Sequence, residues 1–241
     1  MTTLIINKPG GAQRTSERGN VLFLILIAVA LFAALSYAVT QSTRSGGGDA
    51  GRETNLVNSS TITQYPASIK TAIVRMIVSN GASAETLEFN PPSAFGTLTS
   101  TTLGVFHPAG GGATYALAPN SVVTVPNQTW HFNGENQVDN IGLTNGAAAP
   151  NQASADLIAF LPNVRTAICT QIHTQLGLST TLPTEASIVI TLDQTNAHGT
   201  LLDRFTETGN TIGDGNILSG QPQGCFVQGG INVYYHVLVE R

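Results

Sequence analysis

The strongest pattern along the chain is an unbroken apolar run, Val21 to Val39, read VLFLILIAVALFAALSYAV, whose only polar groups are Ser36 and the Tyr37 hydroxyl. Its 19 residues make about 28 Å of helix at 1.5 Å per residue, close to the roughly 30 Å core of a bilayer. The run is also longer than the roughly 7–15 apolar residues of a cleavable secretory signal. Next comes Ser45-Gly46-Gly47-Gly48-Asp49-Ala50-Gly51, which reads as a flexible break because glycine loses the most backbone entropy in a helix. From Thr54 to Ser79 apolar residues return at helical spacing: Leu56, Ile62, Tyr65, Ile69, Ile73 and Met76 or Ile77 share one face. Pro66 is expected to end or kink this helix, which makes Ala67–Ser79 its firmer part, and Asn80-Gly81 supplies a stop.

Residues 85–150 change character. Short β-like runs (Leu87–Phe89, Gly104–Phe106, Thr114–Leu117, Ser121–Val125, Thr129–Phe132) alternate with Pro91-Pro92, Gly110-Gly111-Gly112, Asn133-Gly134 and Asn145-Gly146, predicting a meander of short strands. Ala155 to Leu176 reads as helical on Leu157, Ile158, Leu161, Val164, Ile168, Ile172 and Leu176. Pro162 splits it, Asn163 is placed to cap the second part, and Gly177 follows as a stop. Ser187–Leu192 and Ile231–Val239 alternate as strands, and the second, INVYYHVLV, is the clearest strand in the chain. The predicted fold class is α+β. A transmembrane helix precedes a domain of mostly antiparallel sheet with two helices on one face. The predicted divisions are a leader over 1–19, a membrane helix over 20–44, a Gly-rich linker over 45–53 and the α+β domain over 54–241.

Composition narrows the function classes. Of 241 residues, 10% are charged, against about 25% in an average soluble protein, which excludes a self-repelling disordered chain. A net charge of −4 with ten scattered Lys and Arg excludes a nucleic-acid-binding surface. Lys8, Arg14 and Arg18 against Glu17 leave the segment before the apolar run at +2, while 7 basic and 13 acidic residues follow it, a balance of 7 − 13 = −6. The positive-inside bias therefore predicts a cytoplasmic N-terminus and an exported remainder, as in a single-pass protein of a bacterial inner membrane. Two cysteines are too few for a disulfide scaffold or a four-thiolate zinc site. In an exported domain Cys169 and Cys225 are expected to pair, joining the helix to the Gly-rich turn before the final strand.

Three readings of the apolar run stay open: an uncleaved anchor, a signal cleaved after the small-x-small Ser36-Tyr37-Ala38, and a processed leader. For the last, Gln13-Arg14-Thr15-Ser16-Glu17-Arg18-Gly19 is polar and basic and ends in Gly, and Asn20-Val21-Leu22-Phe23-Leu24 would open the mature chain. This N-terminus resembles that of a type IV prepilin or pseudopilin, a likeness covering about 30 residues. The resemblance implies a peptidase cut between Gly19 and Asn20 and burial of the apolar helix in a filament core among self or other pilin-like subunits. Such families usually open the mature chain with Phe or Met and carry Glu at its fifth position. Here those places hold Asn20 and Leu24, which points to a minor subunit rather than the main filament protein. A membrane-anchored periplasmic binding or scaffold domain is the alternative.

Few residues invite site chemistry. His107, His131, His173, His198 and His236 show no close metal spacing. His173 lies one helical turn from Cys169, but the pair offers only two ligands and reads better as a histidine beside a disulfide. Gly110–Gly112 could expose amides to an anion, yet no helix start follows, so a turn is expected. Asp214-Gly215-Asn216, with Asp193, Asp203 and Glu207 near in sequence, has a calcium-loop flavour without an EF-hand's alternating carboxylates. No GxSxG, Walker A or dinucleotide-binding glycine motif is present, and the expectation is a structural protein with no catalytic residue, metal or cofactor.

Overall fold

A computed structural model describes residues 18–142, 155–190 and 210–241, with side chains omitted at 18–20 and 42–49. The chain divides into two compact units, Met1–Gly51 and Arg52–Arg241. Helical backbone (α1) is assigned over Arg18–Asn80. The first unit contributes the span Val21–Gln41, 21 residues with a mean hydropathy of 2.7, long and apolar enough to cross a membrane. Its large side chains, from Val21 to Val39, are exposed. The glycines over 45–51, expected to break the helix, are helical, and the division between the units falls at their end.

In the second unit the sheet holds five strands, β1 His131–Val138, β2 Asp156–Pro162, β3 Thr211–Ile212, β4 Gln223–Gln228 and β5 Ile231–Val239, in the order β3-β1-β2-β5-β4. All pairings are antiparallel except the short parallel one between β1 and β3. A second helix, α2 Thr166–Gln175, follows β2. Every residue of β2 is buried, so its two faces feed two cores. Leu157, Ala159 and Leu161 join Tyr234 and Leu238 of β5, Ile62, Ile69, Ile73 and Met76 of α1, and Ile168 and Ile172 of α2. Ile158 and Phe160 join Val233, Tyr235 and Val237 with Ile188, Ile212 and Leu218 on the other face. Both helices therefore lie on one face, as the α+β reading expects.

The apolar stripe of α1 follows the predicted one from Ile62 to Met76 and departs from it at Leu56. Ser59, Ile62, Pro66, Ile69, Ile73 and Met76 are buried, whereas Leu56 is 45% exposed. Pro66 does not end α1; it sits inside the helix on the buried face. A proline removes one intrahelical hydrogen bond, and here packing of the flanking isoleucines on the sheet offsets that loss.

Residues 155–162 form a strand where a helix was expected. A strand buried on both faces is apolar at nearly every position, so its sequence also satisfies a helical stripe. Asn163 does not cap α2. It adopts φ 62°, its amide donates to Gln128 Oε1, and its carbonyl accepts from the Thr124 amide; Arg165 is the N-cap residue. The meander over 85–130 is absent as well. Two 3-10 turns, Ala84–Thr86 and Pro92–Thr97, and isolated bridges at Glu88/Gly104 and Val123/Val164 take its place, and of the predicted runs only His131-Phe132 enters a strand. Asn133-Gly134, read as a turn, lies inside β1 at a register shift between Asn133 and Asn136. Residues 187–190 run beside β1 outside any strand, while Leu192 and Asn145-Gly146 lie outside the described residues.

β4 has no counterpart in the sequence reading, which placed Cys225 in a turn. The turn begins four residues later. Gly229 and Gly230 take φ of 58° and 83° between paired Gln228 and Ile231, the two-residue hairpin geometry that matches strand twist and needs positive φ at both positions. Ile73 is fully buried and Val74 beside it is 48% exposed. Ile73→Ala is expected to cost about 2–5 kcal/mol, and Val74→Ala to stay within about 0.5 kcal/mol. Urea denaturation followed by fluorescence of the buried Trp130 checks both.

Candidate functional site

The sequence-predicted site residues fall in two places. Gly19 and Asn20 lie in the first turn of α1 as helical backbone. Cys169 and Cys225 meet as a disulfide, with Cα atoms 5.7 Å apart and 56 residues between them in sequence. The bridge joins α2 to β4, the edge strand of the sheet, rather than to the terminal strand.

Helical spacing brings His173 under the same strand. Its ring is fully buried, with Nδ1 2.8 Å from the Ser179 carbonyl and Nε2 3.1 Å from the Cys225 amide nitrogen. Nε2 also lies 3.0 Å from the Cys225 carbonyl, so the ring bridges the Ser179 carbonyl and the outward-facing peptide groups of Cys225. His173 thus occupies the place of a neighbouring strand against β4. Further along, the Val227 amide donates to the Pro183 carbonyl and the Val227 carbonyl accepts from the Glu185 amide. Covalent bridge, imidazole and loop together cover an edge that would otherwise template pairing with another chain. The arrangement is a lock: its donors and acceptors are spent on each other.

Beside the rest of β1, beyond its pairing with the two-residue edge strand β3, side chains of β1 hold residues 189–190 alongside. Asn136 Nδ2 donates to the Val189 carbonyl at 2.8 Å, and its Oδ1 accepts from the Val189 amide at 2.8 Å, as a backbone peptide would. Asn133 Nδ2 donates to the same carbonyl, and His131 Nδ1 lies 2.5 Å from the Ile190 carbonyl.

The glycine triplet serves a turn. The amides of Gly110 and Gly112 donate to the His107 carbonyl and that of Gly111 to the Gly104 carbonyl, which leaves none of the three for an anion. A Cβ on Gly111 would lie 2.3 Å from the Val105 oxygen and 2.9 Å from the Met76 sulfur. The loop read as calcium-like is organised by Glu185, whose Oε1 accepts from the Gly213 amide and from Asn216 Nδ2. Asp193, Asp203, Glu207 and His198 lie outside the described residues. Among the described residues no three His, Cys, Asp or Glu side chains gather as metal ligands.

Two titratable groups, the buried Asp156 and the half-buried His236, were not singled out from the sequence. Asp156 opens β2. Its Oδ2 accepts from the Val138 amide at 2.9 Å and its Oδ1 from the Arg241 amide at 3.0 Å. Burial pushes its pKa up to about 6 against the pull of those two amides, and Glu240 nearby adds to the rise. The available signal was a lone acid heading an apolar run. His236, on β5, lies near Tyr234 Oη (3.1 Å) and Gln223 Oε1 (3.2 Å), and those two bond each other at 2.8 Å. Burial, with Lys70 nearby, lowers its pKa to about 4.

These two groups oppose each other. Asp156 titrates near 3.8 unfolded and about 6 folded, so its stabilising contribution is complete below the lower value and lost as pH rises between them. His236 titrates near 6.5 unfolded and about 4 folded, so its contribution is complete above pH 6.5 and lost as pH falls. Each effect amounts to about 3 kcal/mol. Asp156→Asn is therefore expected to leave stability rising with pH between 4 and 6.5, and His236→Gln to leave it falling. Urea midpoints measured across that range show the two slopes. Reduction of the disulfide, or replacement of both cysteines by alanine, is expected to cost about 2–4 kcal/mol, read as a lower urea midpoint.

No known protein family, curated protein or solved structure matches this chain.

Proposed function

We propose that the chain is a pilin-like structural subunit, a minor pilin or pseudopilin of a type IV pilus or type II secretion-like filament. The observation that carries this reading is the double use of α1. Helical backbone is assigned from the apolar span Val21–Gln41 through to Asn80, and its later part buries Ile62, Ile69, Ile73 and Met76 on an antiparallel sheet. A disulfide in the sheet-bearing unit is compatible with an extracytoplasmic location.

The mechanism is physical. A prepilin peptidase removes residues 1–19, and the apolar helix then holds the subunit in the inner membrane, N-terminus inward and α+β unit outward. On extraction the helix exchanges lipid for the apolar helices of neighbours, each large side chain keeping its roughly 1.5–3 kcal/mol of burial. Leu24, in the place where such families carry Glu, removes one acid available to pair with a neighbour's terminal amine, which favours a minor role.

The decisive measurement is the N-terminus of the mature protein, by intact mass and terminal sequencing from native membranes. The expected start is Asn20, with Gly19→Asp accumulating the unprocessed chain. A start at Met1 overturns the proposal in favour of an anchored periplasmic binding or scaffold domain, and a start near Val39 in favour of a released one.

A further inference from the structure

The two sulfurs of the disulfide are sealed. Cys169 and Cys225 are both fully buried, in the core that also holds Ile168 and Ile172 of α2 and Tyr234 of β5. Thiol–disulfide exchange brings a third sulfur onto one of the pair, because a mixed disulfide precedes both the making and the breaking of a bridge. In the folded chain an incoming thiolate has no path to either atom.

The cover is one continuous stretch, α2 and the loop that follows it to Glu185, and it is fastened to the outer side of β4. Pairing with β5 leaves the peptide groups of Cys225 and Val227 facing outward, and this stretch takes both. His173 spans from Ser179 to Cys225. The Val227 amide donates to the Pro183 carbonyl, and the Val227 carbonyl accepts from the Glu185 amide. At the start of the helix, Thr166 Oγ1 accepts from Asn232 Nδ2 at 3.0 Å. Proteins open locally in contiguous units of this kind. Access to the sulfurs and release of the β4 edge are therefore one event.

We infer that the bridge is made on the open chain, before α2 docks on β4, by a dithiol oxidase outside the cytoplasm, and that docking then seals it against reduction. One cysteine thiolate attacks the oxidase's disulfide, forming a mixed disulfide and releasing one oxidase thiolate. The second cysteine thiolate attacks the sulfur of the first, which closes Cys169–Cys225 and releases the other oxidase thiolate. Two electrons pass from the chain to the oxidase, and the two cysteine protons pass through solvent to its thiolates. The compartment rests on the export proposed above, whereas the order of events rests on the burial of the two sulfurs.

The test uses the full chain in detergent micelles, with thiols counted by alkylation and intact mass. First, the folded, bridged chain meets dithiothreitol in native buffer and in urea above its midpoint. Reduction is expected to be at least about 100-fold slower in native buffer. The amides of Cys225 and Val227 are expected to show the same slowing in hydrogen exchange. His173→Gln is expected to speed reduction in native buffer and leave the rate in urea unchanged, and Thr166→Ala, at an exposed position, to do so to a smaller degree. Second, the reduced chain in urea receives oxidised glutathione before or after dilution into native buffer. Addition before dilution is expected to form the bridge, and addition afterwards to form it at least about 100-fold more slowly. Trp130 fluorescence reports whether the reduced chain has folded; where it has not, the dithiothreitol arm decides. Equal reduction rates in native buffer and urea, or fast reduction while the Cys225 and Val227 amides stay protected, would overturn the order of events. Free thiols on the chain taken from native membranes would overturn the compartment instead.

Discussion

The sheet-bearing unit depends on the burial of β2 on both of its faces. A strand whose seven residues are all buried has no solvent side on which to tolerate error, and each face needs its own covering layer. On one face α1 and α2 supply a helical layer. On the other, Ile188 and Leu218 from irregular chain and Ile212 from the two-residue β3 supply the cover. The asymmetry explains why so much of this chain is irregular yet ordered: a layer of turns can bury apolar surface provided its backbone groups are satisfied locally.

Closing the sheet's margins follows from the same constraint. The outer strands of this sheet are β4 and the two-residue β3, and beside β4 and the part of β1 that β3 leaves unpaired, side chains bond main chain where a strand would. Asn136 pairs with Val189 in both directions, and His173 takes the Cys225 amide next to a covalent link. Such devices block edge-to-edge pairing without lengthening the sheet.

Legibility followed the length scale of the interaction. The apolar span, the helix ending at Asn80 and strand Ile231–Val239 were read from periodicity because each repeats a simple pattern over many residues. The pairing of Cys169 with Cys225 was legible from count and compartment. Ala155–Pro162 was misread because apolarity at nearly every position fits both a buried strand and a helical stripe. Thr114–Leu117 and Ser121–Val125 carry strand propensity, but the first has no strand partner and the second pairs only at the single bridge between Val123 and Val164. Asp156 and His236 were passed over because their perturbation comes entirely from what surrounds them.

The amino-acid sequence by itself determined the division into an apolar span and an α+β unit, the helices that end at Asn80 and Gln175, and the chemistry available to the cysteines. These rest on local periodicity and composition, which act within a few turns of chain. Tertiary structure alone decided that Pro66 stays inside α1, that residues 156–162 form a central strand, and that Cys225 sits on an edge. Each of these depends on which distant segment lies alongside, and the free energy of that contact outweighs the modest preferences of the local chain.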